Sequence, residues 1–187
     1  MPDIVLASKS PRRRELFSYI CGEFISCETD IDETAYCDLC AQQQVLRLAE
    51  DKCVAAAEIY DSAVVIGCDT LVELDGRVMG KPRDRKEAFE MVKELSGKTH
   101  RVYTGVAIWI SGEITRFSVE TEVTFRSMDD DEITEYIASG DSDDKAGAYG
   151  IQGMAARYIE GIKGDYFNVM GLPISTIYSI LRKRRIV

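Results

Sequence analysis

A pair of long strands near the middle of the chain limits the fold more than any other pattern. β-Branched and aromatic residues recur through His100–Ile110 and Glu113–Arg126, and only Ser111-Gly112 separates the two runs. Strand patterns joined by so short a turn are typical of an antiparallel hairpin. The sequence therefore predicts a sheet that is antiparallel around this pair.

Shorter strands alternate with helical patterns along the rest of the chain. Strands are predicted at Asp3–Ala7, Phe24–Cys27, Ala63–Gly67, Leu71–Leu74, Arg77–Met79 and Ala155–Ile162. Helices are predicted after the cap Ser10 and at about residues 38–60, 84–95, 129–139 and 172–183. The fold class is therefore α/β, with a mixed, largely antiparallel sheet flanked by helices.

Length and charge describe one acidic domain. The 187 residues fit a single domain, 1–187, without a linker or an internal repeat. The formal net charge is −9, whereas proteins that coat nucleic acid carry an excess of Lys and Arg. We therefore expect a small substrate and no nucleic-acid partner. The basic run Arg182–Arg185 is interpreted as the C-terminal end of a helix, where the helix dipole favours positive charge.

The first residues and the cysteines indicate a cytoplasmic protein. The N-terminal residues lack the basic start and apolar core of a signal peptide. No run of ~18 apolar residues is present that could span a membrane, so no membrane partner is expected. The six cysteines are expected to be reduced packing residues. Cys37 and Cys40 have the spacing of a metal or redox pair, but His100 is the only histidine and structural zinc needs four ligands.

The segment Asp144–Gly153 combines three glycines with charged and polar side chains. Glycine lets the backbone approach a ligand closely, Lys145 offers a positive charge for phosphate, and Gln152 offers a donor and an acceptor. We interpret the segment as an unpacked, nucleotide-binding loop. The alternative is an ordinary surface loop punctuated by glycine.

Three arginines cluster where the first strand gives way to the first helix. Arg12, Arg13 and Arg14 follow Ser8-Lys9-Ser10-Pro11, at a place where free backbone N–H groups attract anions. Positive charges near a helix N terminus oppose the helix dipole. A phosphate ligand therefore explains them better than a solvated basic turn does.

Asp69 is the best single candidate for chemistry. It follows the predicted strand Ala63–Gly67, and strand ends in α/β proteins often border a ligand. Its carboxylate could bind Mg²⁺ directly, or could hold a water and take its proton, whereas the structural alternative is an Asp-Thr turn. Glu33 offers a second oxygen ligand, and Lys52 and Lys81 add positive charge.

Six short motifs follow one another from one end of the chain to the other. They are Ala7–Arg13, Gly67–Thr70, Gly80–Pro82, Leu95–His100, Asp144–Gly153 and Asn168–Pro173. In this order they resemble the Maf family of nucleoside triphosphate pyrophosphatases, and the resemblance covers nearly the whole chain.

The resemblance implies an elongated fold with two lobes around a cleft, like that of the inosine triphosphate pyrophosphatases. It implies hydrolysis of a nucleoside triphosphate to monophosphate and pyrophosphate with a divalent metal cation, Mg²⁺ or Mn²⁺. Asp69 matches the family's general base, Glu33 matches a neighbouring acidic position, and both are expected to hold the metal. Lys52 and Lys81 match lysines that neutralise phosphate charge. Family members often form homodimers, so a homodimer is expected.

The same resemblance implies which nucleobase the substrate carries. One branch of the family prefers dTTP and UTP, and Arg12, Thr70 and Gln152 resemble that branch. A Gln amide can complement the N3–H and a carbonyl of uracil or thymine, and modified pyrimidines are candidates too. The predicted substrate contacts are Ser8, Ser10, Arg12, Arg13, Thr70, Lys145, Tyr149 and Gln152. The triphosphate is predicted to lie in the cleft, where Asp69 directs water at the α-phosphorus.

The chain departs from the family pattern at two places. Asp141-Ser142 stands where Glu-Pro is usual, which is expected to loosen the loop before Lys145, and Asp32 stands where glutamate is common.

The alternative functions are a non-enzymatic nucleotide-binding regulator of septum formation, a 7-methyl-GTP pyrophosphatase of the same family, and an enzyme for modified purine triphosphates. A pure binder has no need of Asp69 and Glu33 beside lysines.

Overall fold

The computed structural model describes residues 3–187. The strands are β1 (Ile4–Ala7), β2 (Ile25–Cys27), β3 (Val64–Leu74), β4 (Arg77–Met79), β5 (Thr99–Ile110), β6 (Glu113–Phe125) and β7 (Ile159–Lys163). The helices are α1 (Pro11–Ser18), α2 (Ala41–Ala57), α3 (Arg85–Leu95), α4 (Asp130–Ala138), α5 (Tyr166–Val169) and α6 (Ile174–Lys183). Short 3₁₀ helices cover Ala146–Ala148 and Met154–Tyr158.

The strands form one mixed sheet in the order β2-β1-β3-β5-β6-β7, with β4 paired to β3. β1 is parallel to both of its neighbours, and Val5 lies opposite Ile25 on one side and Val65 on the other. The pairs β3–β4 and β6–β7 are antiparallel. The Thr99 and Thr124 hydroxyls meet at 2.8 Å, far along the strands from the turn that joins β5 to β6, so this pair is antiparallel too. The predicted mixed α/β class is confirmed.

The chain divides into two compact units. The first comprises the described residues up to Asp69, with Thr104–Val119 and Gly171–Val187, and the second comprises Thr70–Tyr103 and Glu120–Met170. In the first unit, a cluster of mostly small buried residues lies where α2 packs on the strands, and in the second a cluster of larger aliphatic and aromatic residues forms the core. The single domain 1–187 and the cleft between lobes stay predictions.

Close packing of α2 on β3 shapes the first unit. A Cβ at Gly67 would lie 2.2 Å from the carbonyl oxygen of Ala49 and 2.7 Å from the amide nitrogen of Cys53. Both distances are shorter than any real contact, so only glycine lets the helix backbone approach the strand this closely. Ala49 and Cys53 are fully buried at this contact.

The predicted elements differ from the structure in three places. The strands predicted at Ala63–Gly67 and Leu71–Leu74 form one continuous strand, β3, so the prediction that Asp69 lies at a strand end is wrong. The strand predicted at Ala155–Ile162 is wrong in its first half, because Met154–Tyr158 forms a 3₁₀ helix that buries Ala155 and Tyr158 in the core of the second unit. Helix α5 was not predicted; it begins where the Asp165 carboxylate accepts the backbone N–H groups of Phe167 and Asn168. No helix in residues 3–187 combines the length and apolar character that a bilayer crossing demands.

The cysteines fall into different environments, and all six are free thiols. Cys53 and Cys68 are buried, and burial raises the pKa of the Cys53 thiol to about 12 and that of the Cys68 thiol to about 11. Cys37 and Cys40 are exposed in the segment before α2, so the prediction that they pack is wrong.

Candidate functional site

Three predicted site residues meet in the first unit. The Lys52 ammonium nitrogen lies 2.7 Å from Oδ1 of Asp69 and 2.7 Å from Oε1 of Glu33. Lys52 projects from α2, Asp69 from β3, and Glu33 from the turn that follows β2. Because both contacts share one nitrogen, the two carboxylate oxygens lie within about 5.4 Å of one another, twice the contact length. Lys52 therefore holds the two carboxylates as a pair.

The packing of α2 on β3 explains why these groups meet. Side chains two residues apart on a strand share a face, so Asp69 projects on the side where Gly67 admits α2. Lys52 precedes Cys53, whose backbone nitrogen is among the atoms nearest to Gly67. The close packing of α2 at Gly67 therefore brings the Lys52 ammonium group within hydrogen-bond distance of the Asp69 carboxylate.

Burial and charge make this cluster unlike an ordinary surface ion pair. The side chains of Lys52 and Asp69 are each 11% exposed, and that of Glu33 is 54% exposed. Burying a charge is costly unless the charge is paired, and Lys52 pairs with Asp69 where both are shielded from water. With two carboxylates and one ammonium, the cluster keeps an excess negative charge.

This donor set fits a hard divalent cation bound with its substrate. Mg²⁺ prefers oxygen ligands and is commonly held by one or two carboxylates together with waters and substrate phosphates. Asp69 and Glu33 supply two such groups, and their net charge favours a cation. Within residues 3–187 no group of three His, Cys, Asp or Glu residues is placed to hold a metal. Waters and substrate phosphates would supply the remaining ligands of an ion held by this pair.

Arg13 ties α1 to the residue before Asp69. Its Nε donates to the carbonyl of Gly171 at 2.8 Å, and its Nη1 donates to the carbonyl of Cys68 at 2.9 Å and to Oγ of Ser8 at 3.4 Å. These bonds hold the backbone from which the Asp69 carboxylate projects. Phosphate binding by Arg13 stays a prediction.

The start of α1 is built as the sequence predicts. Ser10 caps the helix, since its Oγ accepts the backbone N–H of Arg13 at 3.5 Å, and Pro11 occupies the first turn. The Ser8 hydroxyl accepts the N–H of Ser10, and Ser8 is 8% exposed. Arg12 is half-buried in the first turn. Substrate contacts by these residues stay predictions.

The other predicted contacts lie in the second unit. Thr70 is half-buried on β3, whereas Lys81 and Gln152 are exposed. The Lys145 ammonium contacts oxygen atoms of Asp141 and Asp144.

Tyr149 lies inside the core of the second unit. It is 5% exposed, its hydroxyl lies 2.7 Å from Nε2 of His100, and its ring meets that of Phe125 edge-on. Burial raises the pKa of the Tyr149 hydroxyl and lowers that of His100 to about 4. This placement does not support a substrate contact by Tyr149. The sequence analysis did not identify the His100–Tyr149 pair, because nothing in the motif Leu95–His100 indicates a partner 49 residues away.

The centre of the glycine-rich segment is packed, so the expectation of an unpacked loop is wrong there. Ala148 and Ile151 are buried beside Tyr149. Gly147 has φ of +66°, and a Cβ on it would lie 3.1 Å from both methyl groups of Val72. Its N–H donates to the carbonyl of Gly80 at 3.0 Å. The exposed part of the segment is therefore small and includes Gln152.

Comparison with known proteins agrees with this architecture. The family described as Maf-like protein matches residues 3–184. A dTTP/UTP pyrophosphatase of Clostridium acetobutylicum is 45% identical, over 95% of this chain and 96% of that protein. A dTTP/UTP pyrophosphatase of Bacillus cytotoxicus is 43% identical, over 98% of this chain and 96% of that protein.

The fold is also shared with a more distant protein. The solved structure of the Ham1 protein of Staphylococcus aureus superposes with a TM-score of 0.57 at 16% identity, covering 97% of this chain and 99% of that one. At this identity the likeness concerns the fold alone. The family match over residues 3–184 and the 45% identity to a relative covered over 96% of its length are much stronger evidence. They show that this chain belongs to the Maf family.

Proposed function

We propose that this chain hydrolyses dTTP and UTP to the nucleoside monophosphate and pyrophosphate. The names of its relatives state this activity for them, and the Asp69–Lys52–Glu33 cluster is the observation that carries the proposal to this chain. The reaction needs a base for water and positive charge for the triphosphate. The cluster contains groups of both kinds.

Asp69 is the proposed general base. An ionised carboxylate only accepts hydrogen bonds, so it can orient a water and take its proton as the water attacks the α-phosphorus. Lys52 donates to Oδ1, fixing the carboxylate on β3. A base held in one orientation avoids the entropic cost of arranging it during the reaction.

Lys52 and a divalent cation are proposed to offset the charge of the reacting phosphates. Positioning and charge neutralisation supply most of the catalysis in phosphoryl transfer. Mg²⁺ or Mn²⁺, held by Asp69 and Glu33 together with the substrate, would neutralise the leaving pyrophosphate. Lys81 is exposed two residues after the end of β4 and is proposed as a further phosphate contact.

Gln152 is the proposed contact for the base. Its amide can accept from N3–H and donate to a carbonyl of thymine or uracil, and cytosine reverses this pattern at N3. A site built to pair such groups discriminates strongly against a base that leaves them unpaired. We further propose a cytoplasmic location and a homodimer, the latter testable by light scattering of the purified protein.

The test is pyrophosphate release with Mg²⁺ or Mn²⁺ from dTTP, UTP, CTP, dGTP and 7-methyl-GTP, with parent and Asp69→Asn. The matched control is Asp61→Asn, an exposed carboxylate in the turn before β3. We expect selective turnover of dTTP and UTP, a loss on the order of 10² or more in Asp69→Asn, and none in the control.

Other outcomes would overturn parts of the proposal. Turnover of 7-methyl-GTP alone would favour the alternative of a 7-methyl-GTP pyrophosphatase of the same family. No turnover of any triphosphate would favour the regulatory binder, and normal turnover by Asp69→Asn would remove Asp69 from the role of base.

A further inference from the structure

A single carboxylate joins the two ends of the glycine-rich segment. Oδ1 of Asp141 lies 3.1 Å from the Lys145 ammonium, and Oδ2 accepts the backbone N–H of Met154 at 3.1 Å. Lys145 precedes the packed centre of the segment and Met154 follows Gln152 by two residues. Asp141 therefore closes the chain from 145 to 154 into a loop.

The Lys145 ammonium contacts three oxygen atoms of this loop. It lies 2.6 Å from the carbonyl oxygen of Asp141, 2.8 Å from Oδ1 of Asp144 and 3.1 Å from Oδ1 of Asp141. Two of these contacts are hydrogen bonds, to the Asp141 carbonyl and the Asp144 carboxylate, and the third is an ion pair with the Asp141 carboxylate. The side chain of Lys145 is 12% exposed. Lys145 is thus held by other groups of the protein. We call the contacts of the Asp141 carboxylate with the Lys145 ammonium and with the Met154 N–H the clamp.

The glycine before Met154 makes room for the Asp141 carboxylate. Gly153 has φ of +92°, a region that side chains disfavour, and a Cβ there would lie 2.6 Å from Oδ2 of Asp141. The carboxylate can reach the Met154 N–H because that space is empty. Gln152, the residue before Gly153, is exposed next to this fixed point.

We propose that Asp141 is a positioning residue for base recognition, with Lys145 as its partner in the clamp rather than as a phosphate ligand. This inference rests on the proposed function, since it concerns how Gln152 is held. An amide distinguishes uracil from cytosine only when its oxygen and nitrogen meet the correct atoms of the base. A loop without its clamp lets that amide move, so discrimination falls further than hydrolysis does.

The same geometry supplies a restraint at Asp141-Ser142, where the missing proline at residue 142 predicts a looser loop. Ser142 is instead fully buried, and its hydroxyl donates to Oδ1 of Asp143 at 3.0 Å. The Asp141 carboxylate supplies the restraint by hydrogen bonds, where a proline would supply it by its fixed φ.

The test compares kcat and KM for dTTP, UTP and CTP in parent, Asp141→Ala, Asp141→Glu and Gln152→Ala. Glu160→Gln, at an exposed carboxylate of β7 in the same unit, is the control, and thermal melting checks the fold. We expect the dTTP-to-CTP ratio of kcat/KM to fall about tenfold or more in Asp141→Ala and Gln152→Ala. Asp141→Glu, which keeps the carboxylate, should recover most of that ratio.

Lys145→Met separates the two roles of the lysine. A clamp partner lowers the dTTP-to-CTP ratio, and the loss is not additive with Asp141→Ala because both changes open one loop. A phosphate ligand instead raises KM for dTTP and CTP alike and leaves the ratio unchanged, which would overturn the clamp role.

The failure of this inference and that of the proposed function give different results. A folded Asp141→Ala protein that keeps the parent ratio, beside a Gln152→Ala protein that loses it, would overturn the role of Asp141 alone. If Asp141→Ala does not fold, the near-isosteric Asp141→Asn decides by the same ratio. A parent protein that hydrolyses neither dTTP nor UTP would overturn the proposed function and this inference together.

Discussion

Lys52 donates to Asp69 at 2.7 Å across the contact between α2 and β3, and both side chains are largely buried. Each group offsets the cost of burying the other, so replacing one of them leaves an uncompensated charge. The pair also fixes the orientation of the proposed base. Its loss should therefore affect rate more than any change at an exposed ion pair.

Lys52→Gln tests the charge at this position. The amide can still donate to Asp69 but carries no charge for the phosphates, so we expect kcat/KM on dTTP to fall on the order of 10². Steady-state kinetics with thermal melting would measure both effects. Lys86→Gln, at an exposed lysine of α3, is the control and should leave the rate unchanged. A rate near that of the parent in Lys52→Gln would exclude a catalytic role for the ammonium.

Gly67→Ala tests the packing of α2 on β3 that places Lys52 beside Asp69. The added Cβ would meet the Ala49 carbonyl at 2.2 Å and force α2 away from β3, so we expect a loss of about 3 kcal/mol in unfolding free energy. Gly22→Ala is the matched control, because no atom lies within 4 Å of its new Cβ. Urea denaturation of both variants checks this. Equal stability of the two would contradict the close approach of helix and strand.

The buried histidine predicts an acid-sensitive stability. Burial lowers the pKa of folded His100 to about 4, and an unfolded histidine has a pKa of about 6.5. Between these values the unfolded chain binds more protons, so the stability from neutral His100 is complete above about pH 6.5 and is lost as pH falls towards 4. The loss is about 3 kcal/mol, and denaturation between pH 4 and 7 measures it.

His100→Gln isolates this contribution from that of the carboxylates. Its amide can still meet the Tyr149 hydroxyl but does not titrate, so the difference in stability between parent and variant should shrink as pH falls. A difference that stays constant from pH 7 to 4 would show that His100 is not the titrating group.

Metal removal tests the carboxylate pair. We expect a chelator to abolish pyrophosphate release, and Mg²⁺ or Mn²⁺ to restore it, because Asp69 and Glu33 with substrate phosphates form the oxygen site that these ions prefer. In Glu33→Gln the metal concentration for half-maximal rate should rise several-fold. Unchanged activity in excess chelator would contradict a metal-assisted reaction.

Much of the fold follows from local patterns in the sequence. The Asp75-Gly76 turn has φ of +52° and +82°, as expected for the two central residues of a tight hairpin, and it joins β3 to β4 as predicted. Asp129 caps α4 with a capping box. These features depend on residues close in sequence, which is why periodicity and turn chemistry identify them.

Contacts between distant residues were harder to predict. The sequence suggested Asp69, Lys52 and Glu33 separately, and the resemblance grouped them, but their shared hydrogen bonds depend on the approach of α2 to Gly67. In the same way, Lys145 and Tyr149 of the glycine-rich segment were predicted as ligand contacts without any sign of their partners in the fold. In the structure the Lys145 ammonium contacts Asp141, and the Tyr149 hydroxyl contacts His100.

The most direct test of the account is hydrolysis of dTTP in ¹⁸O-labelled water, with the oxygen isotope in each product measured by mass spectrometry. Attack on the α-phosphorus, directed by Asp69, places the label in the nucleoside monophosphate and leaves the pyrophosphate unlabelled. Label in the pyrophosphate would mean that water attacks the β-phosphorus, and release of single phosphate groups would mean that the chain is not a pyrophosphatase. Either result would contradict the central claim.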